Sequence, residues 1–173
     1  MQLLRSIALR YSLLILLSLG NLWLFYTIFT PLTVHPVFFV LQQAYSAVLL
    51  EGNTIFFKGY YASIIPACVA GAAYYALTAL NLTTPMPLTK RLQSLIFLLA
   101  SFLVINTLRI LIFAKLLFVG YAYFDLTHQL TWYLGSTALV AILWLANIKI
   151  FRIKAIPIYT DIRGIIHPNI KKS

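Results

Sequence analysis

Four stretches of this chain are almost free of charge and about as long as a bilayer is thick. That pattern limits the possible folds more than any other feature of the sequence. The first, Tyr11 to Phe29, is nineteen residues with no charge at all, close to the roughly 20 residues a membrane-spanning helix needs. The others are about Tyr61–Leu82, Leu92–Phe113 and Gln129–Ile148. Backbone groups in hydrocarbon must be satisfied inside the protein, so apolar stretches of this length are expected to be helices. Composition agrees. The chain is 62% hydrophobic and 9% charged, against about 45–50% and about 25% in a soluble domain. The expected fold class is an all-α integral membrane protein of about four transmembrane helices. Residues 1–148 would form a single membrane-embedded domain, and residues 149–173 a basic cytoplasmic tail.

The first apolar run, after Arg5 and Arg10, starts like a secretory signal peptide. Such a signal has an apolar core of about 7–15 residues and a small-residue cleavage site. Here the run is longer and leads into Trp23, Phe25, Tyr26 and Phe29, so it reads as a retained span. Pro31 and then His35-Pro36 are expected to end it. The next fourteen residues, Val37–Leu50, are apolar but short for a span and suit a re-entrant or interfacial helix. Gly52-Asn53 is a turn signal, and Ile55, Phe56, Phe57, Tyr60 and Tyr61 favour extended chain. A small extracytoplasmic hairpin is expected there.

The net charge of +10 would suggest nucleic acid in a soluble protein. Here the basic residues lie between and after the apolar runs, where they set topology and contact anionic lipid. With both termini in the cytoplasm, the inside segments hold Arg5, Arg10, Lys90, Arg91, Lys149, Arg152, Lys154, Arg163, Lys171 and Lys172. The outside segments hold only Lys58 and Lys115. The bias runs in the positive-inside direction. The expected location is the plasma membrane, multi-pass, with membrane lipids as partners and no nucleic acid. One cysteine excludes an intrachain disulfide. The sequence has no Gly-rich phosphate loop, Cys-x-x-Cys or His-Glu-x-x-His, so no cofactor or metal is expected.

Three reactive residue types fall on one side of this layout. Cys68 lies about seven residues from the outer end of the second span, roughly 10 Å deep at 1.5 Å per residue. Arg109 is the only charge inside any span and lies six residues before Lys115, roughly 9 Å deep. His128 stands at the outer end of the fourth span. A cation or a basic imidazole beside a thiol favours the thiolate. Histidine can shuttle the proton to a leaving amine, and arginine can stabilise an oxyanion. Each residue also has a plainer reading: Cys68 as small packing in an Ala- and Gly-rich stretch, Arg109 snorkelling outward, and His128 solvated at an interface. Asn106 shares a face with Arg109 and is placed to hydrogen-bond across helices. Asp125 reads as an ordinary loop acid, and His35 and His167 as structural.

At these residues the sequence resembles the exosortase/archaeosortase family of membrane cysteine transpeptidases. The resemblance rests on Ile65-Pro66-Ala67-Cys68-Val69-Ala70-Gly71, on Asn106-Thr107-Leu108-Arg109-Ile110, on His128 leading into a later helix, and on the hairpin-like stretch before the cysteine. It covers about residues 40–145 and is closer to the compact archaeal branch. It implies that Cys68 attacks a backbone carbonyl near the C-terminal anchor of an exported protein and forms a thioacyl enzyme. His128 would serve as acid and base, and Arg109 would stabilise thiolate or oxyanion. The implied partners are exported proteins ending in a short motif, an apolar helix and a basic end, with a lipid amine as acceptor. The chain departs from the family in having Val69 where serine often follows the cysteine, and in having fewer spans. The residues alone also fit a non-enzymatic membrane subunit or transporter that uses Arg109 to bind an anion or a partner, and a lipid-modifying acyltransferase that uses the same thiol.

Overall fold

The computed structural model describes residues 2–20 and 22–166. His167, Lys171 and Lys172 lie outside the described residues. The chain is mostly helical, and a small antiparallel sheet sits at one end of the bundle. Among the described residues, three helices are long and apolar enough to cross a membrane: Trp23–Tyr45, Leu88–Phe118 and the continuous helical stretch Phe124–Ile150.

The first two expected spans are drawn differently in the structure. Helix α1, Gln2–Ser18, ends before Gly20 and Leu22, which both adopt positive φ, and α2, Trp23–Tyr45, follows. The break therefore falls inside the Tyr11–Phe29 run and not at its end. Pro31 and Pro36 do not stop α2. They face outward, whereas Phe25, Phe29, Thr33, Val37 and Leu41, spaced four apart, form one buried stripe past both of them. A proline costs a helix one amide and a clash one turn back, and membrane helices tolerate this when neighbouring groups compensate. Val37–Leu50 is thus not a separate re-entrant helix. Its first part completes α2, and Val48–Leu50 is strand β1.

The expected hairpin is a three-stranded sheet, β1 (Val48–Leu50), β2 (Thr54–Phe57) and β3 (Tyr60–Ser63), in the order β1-β2-β3. Phe57 pairs with Tyr60 across the two-residue turn Lys58-Gly59, both at positive φ (48° and 87°). That is the twist a two-residue hairpin requires, and glycine adopts it without strain. Buried Ile55 and Phe57 turn the sheet toward the bundle. Tyr45 packs between Phe57 and Phe118, with ring centroids at 5.9 and 5.2 Å, and so ties the sheet to α2 and to the helix ending at Phe118.

Tyr61–Leu82 is not one span. After β3 it contains a one-turn helix α3, Pro66–Val69, then Ala70 at φ 60°, then α4, Gly71–Leu82. At 1.5 Å per residue, the twelve residues of α4 cover only about 18 Å. Helix α5, Leu88–Phe118, is longer than expected. Ser94, Leu98, Phe102 and Asn106 line its buried side, and Leu92, Ile96, Val104, Leu108 and Ile112 lie exposed, as lipid-facing side chains would. Helix α6, Phe124–Leu130, continues through a π-helical turn, Thr131–Gly135, into α7, Ser136–Ile150. The core lies where α2, α4 and α5 meet. Tyr74 stacks on Phe29 at 3.6 Å and takes Phe102 edge-on at 4.8 Å.

At the end away from the sheet, the C-terminus of α4 is held by two arginines. Arg10 donates to the Leu82 carbonyl (3.0 Å) and to Asp161 (2.8 Å). Arg91 donates to the carbonyls of Asn81 (2.7 Å), Leu82 (3.2 Å) and Thr84 (2.9 Å). Asn81 and Leu82 end α4 and Thr84 follows it, so both guanidinium groups serve the end of a helix, where carbonyls outnumber the amides left to pair with them. Asp161 belongs to α8, Tyr159–Ile166, so the basic tail folds back onto α1 and the α4–α5 connection, where the Ile158 amide also bonds the Thr83 carbonyl (3.2 Å).

Candidate active site

Cys68 is placed by a short, tightly specified piece of chain. Pro66 occupies the first position of α3, where its missing amide costs nothing and its fixed φ suits a helix. The left-handed turn at Ala70 then stops the helix after four residues. The amide of Ala73 bonds the Ala70 carbonyl, so the carbonyls at the end of α3 need partners from elsewhere. Asn106, fully buried on α5, supplies one: its Nδ2 donates to the carbonyls of Cys68 (2.9 Å) and Val69 (3.4 Å). The cross-helix hydrogen bond expected of Asn106 thus falls on the backbone of the cysteine itself. Gly71 lets α2 come close. A Cβ there would lie 2.7 Å from Cζ of Tyr26.

Arg109, one turn beyond Asn106, is half-buried and donates from Nη1 to Oγ of Ser136 at 2.7 Å, at the start of α7. Among the described residues the one ion pair is Arg10–Asp161, so Arg109 has a neutral partner. His128 lies on α6. Its ring stacks on Phe124 (5.7 Å, 5°) and meets Phe113 edge-on (5.0 Å, 81°). Asp125 is exposed in the first turn of α6 and does not hydrogen-bond His128. His35 is exposed on α2 and lines neither cavity described next.

Cys68, Arg109 and His128 line one cavity of about 200 Å³, with Ile65, Phe113 and Trp132 among its walls. The same three residues line a second cavity of about 360 Å³. No direct hydrogen bond joins them, and they face one another across open space of small-molecule size. No family model, curated protein or solved structure matches the chain. The larger cavity continues from the trio along Tyr61, Ala62, Ser63, Ile64 and Ile65. Successive strand side chains point to opposite faces. Three of these residues in a row, Tyr61–Ser63, belong to β3, so the cavity runs along the edge of the strand and on through Ile64 and Ile65, and β3 pairs only with β2 among the described residues.

Two contributors, Ser136 and Thr131, were not singled out in the sequence, and Trp132 reads there only as an interfacial anchor of the fourth span. Ser136, the hydrogen-bond partner of Arg109, carries no motif of its own in the sequence. Trp132 and Thr131 reach the cavity from the π-helical turn. Such turns recur at functional sites, but this one has no sequence signal.

Proposed function

We propose that this chain is a membrane-embedded cysteine peptidase or transpeptidase of the exosortase/archaeosortase kind. The observation that carries the reading is the convergence of Cys68, Arg109 and His128, from three separate helices, on one cavity. Thiol, guanidinium and imidazole are the set that acyl transfer through a thioester uses. In this reading the Cys68 thiolate attacks a backbone carbonyl carbon of the substrate. A C–S bond forms, and Arg109 stabilises the oxyanion. The tetrahedral intermediate collapses with cleavage of the C–N bond, and His128 protonates the departing amine. An incoming amine, the head group of a lipid, then attacks the thioester. His128 takes its proton, the new amide forms and the C–S bond breaks, returning the cysteine.

The open edge of β3 offers the substrate a seat. An extended segment can pair its backbone with an exposed strand edge while pockets select its side chains. Here such an edge leads through Ile64 and Ile65 straight to Cys68. The substrates would be exported proteins whose C-termini carry a short motif, an apolar helix and a basic end. The positive-inside distribution of charge supports a site facing the extracytoplasmic side of the plasma membrane, with both termini in the cytoplasm.

The test is co-expression with such a protein from the same organism, following loss of its C-terminal peptide and any adduct on Cys68 by mass spectrometry. Cys68→Ala is expected to abolish processing while the protein still accumulates in the membrane. Processing at the native rate in Cys68→Ala would end the proposal. One observation favours a second reading, an anion-binding subunit or transporter: the guanidinium of Arg109 has only a hydroxyl partner. That reading predicts dependence on Arg109 with indifference to Cys68 and His128.

A further inference from the structure

The end of the bundle away from Cys68 carries a second concave site. A cavity of about 370 Å³ lies between the α4–α5 connection and the segment that follows α7. Lys90, Arg152 and Lys154 line it, and Pro85, Pro87 and Met86 form apolar walls. We propose that this cavity binds a phosphate-bearing anion, and that its occupant is the head group of an anionic lipid.

Charge is the first argument. The whole chain has three acidic residues, Glu51, Asp125 and Asp161. Glu51 lies beside the sheet and Asp125 on α6, both at the other end. Asp161 is buried against Arg10. None of these three side-chain carboxylates is placed to neutralise the three cations around the cavity. Construction is the second argument. Buried Ile153 anchors the segment between exposed Arg152 and Lys154, and its amide bonds the Ile148 carbonyl (3.0 Å). Phe151 packs edge-on against Phe97 at 5.9 Å. The Ile158–Thr83 bond holds this segment to the opposite wall. The two cations therefore flank a fixed point and are not carried on a loose tail. The walls are the third argument. Prolines and a methionine suit the glycerol and upper acyl carbons of a lipid, whereas a free phosphate would gain nothing from them. Lipid phosphates also lie at the membrane face where the ends of α5 and α7 emerge.

The experiment uses the purified full chain in neutral detergent and native mass spectrometry, with phosphatidylglycerol, phosphatidylcholine and inorganic phosphate as probes. Phosphatidylglycerol is expected to be retained in preference to phosphatidylcholine. Each Lys or Arg near an anionic surface is worth about fivefold in affinity, so Arg152→Gln/Lys154→Gln should weaken phosphatidylglycerol binding about 25-fold. Arg152→Lys/Lys154→Arg should keep it, which separates lost charge from a damaged fold. Lys58→Gln/Lys115→Gln removes the same charge at the other end and should change little. Equal weakening by the two charge-removing pairs would overturn the proposal, because binding would then follow net charge alone. Displacement of the lipid by millimolar inorganic phosphate would support a phosphate site but assign it a soluble occupant. Equal retention of phosphatidylcholine and phosphatidylglycerol would overturn the proposal.

Discussion

Asn106→Leu is expected to disable Cys68 while leaving the fold standing. The substitution removes a donor that lies 2.9 and 3.4 Å from the carbonyls of Cys68 and Val69. Hydrogen bonds between helices in a bilayer average about 0.6 kcal/mol and reach about 1.7. Stranding a buried carbonyl costs about 1–3 kcal/mol. Against this, leucine also removes Asn106 Oδ1, which is buried without a hydrogen-bond partner. The net cost is then about 1–2 kcal/mol, a fall of roughly 2–8 °C in Tm at this chain length. The proposed catalysis would be far more sensitive. Asn106 fixes the end of a four-residue helix, and a misplacement of about 1 Å at a reacting group costs on the order of 100-fold. Asn106→Asp preserves shape but replaces the donor with an acceptor, so it should be at least as damaging as leucine. The assay is processing of a co-expressed substrate, normalised to folded protein, with thermal denaturation in detergent alongside. Processing by Asn106→Leu within a few-fold of native would refute the positioning role. So would an aspartate variant that works normally, since side-chain size would then be all that matters.

Two further substitutions test the frame around the site. Gly71→Ala should force the Tyr26 ring away from a Cβ that would lie 2.7 Å from it, costing about 1–3 kcal/mol as overpacking does, read as a lower Tm with reduced processing. Asp161→Asn should cost about 3–5 kcal/mol, because it leaves Arg10, 6% exposed, without its buried counter-charge. Its Tm should fall further than that of Asp125→Asn, whose carboxylate is exposed.

The apolar runs of α5 and of the stretch Phe124–Ile150 were legible because membrane helices impose length on a sequence, whereas the depth assigned to Cys68 rested on a span, Tyr61–Leu82, that the structure divides. The cross-helix role of Asn106 was legible because a buried amide beside lipid needs a partner. The strand signals before Cys68 also held, and the paired strands number three. The continuity of α2 was harder to read. Pro31 and Pro36 are local breakers, and only the buried stripe from Phe25 to Leu41 shows that the helix runs past them on its other face. The split of Tyr61–Leu82 was hidden more deeply. The positive φ falls on Ala70 and not on the neighbouring Gly71, whose missing side chain serves the contact with Tyr26. Docking of the tail hinges on Asp161, one acid in a stretch whose basic residues dominate its reading.

Three arginines are withdrawn from water to different ends, and the comparison isolates Arg109. Arg10 has a carboxylate and two carbonyls, and Arg91 has three carbonyls. In both, the guanidinium closes the backbone of a helix end, so the fold itself accounts for its desolvation. Arg109 has five N–H donors, and its one side-chain partner is a hydroxyl. A charge in a membrane segment costs about 2.5–3.5 kcal/mol at mid-span and less near the ends, and the bond to Ser136 offsets only about 1 kcal/mol of that. Folding therefore gains little from Arg109. Arg109→Met is expected to leave the Tm unchanged or to raise it, whereas Arg91→Met lowers it by stranding carbonyls at about 1–3 kcal/mol each, and Arg10→Met lowers it further, by about 3–5 kcal/mol, because it leaves Asp161 buried without its counter-charge. Processing should be lost in Arg109→Met despite the sound fold. If Arg109→Met unfolds as readily as the other two variants, the residue is structural, and its donors do not face the cavity for the sake of a reacting oxygen.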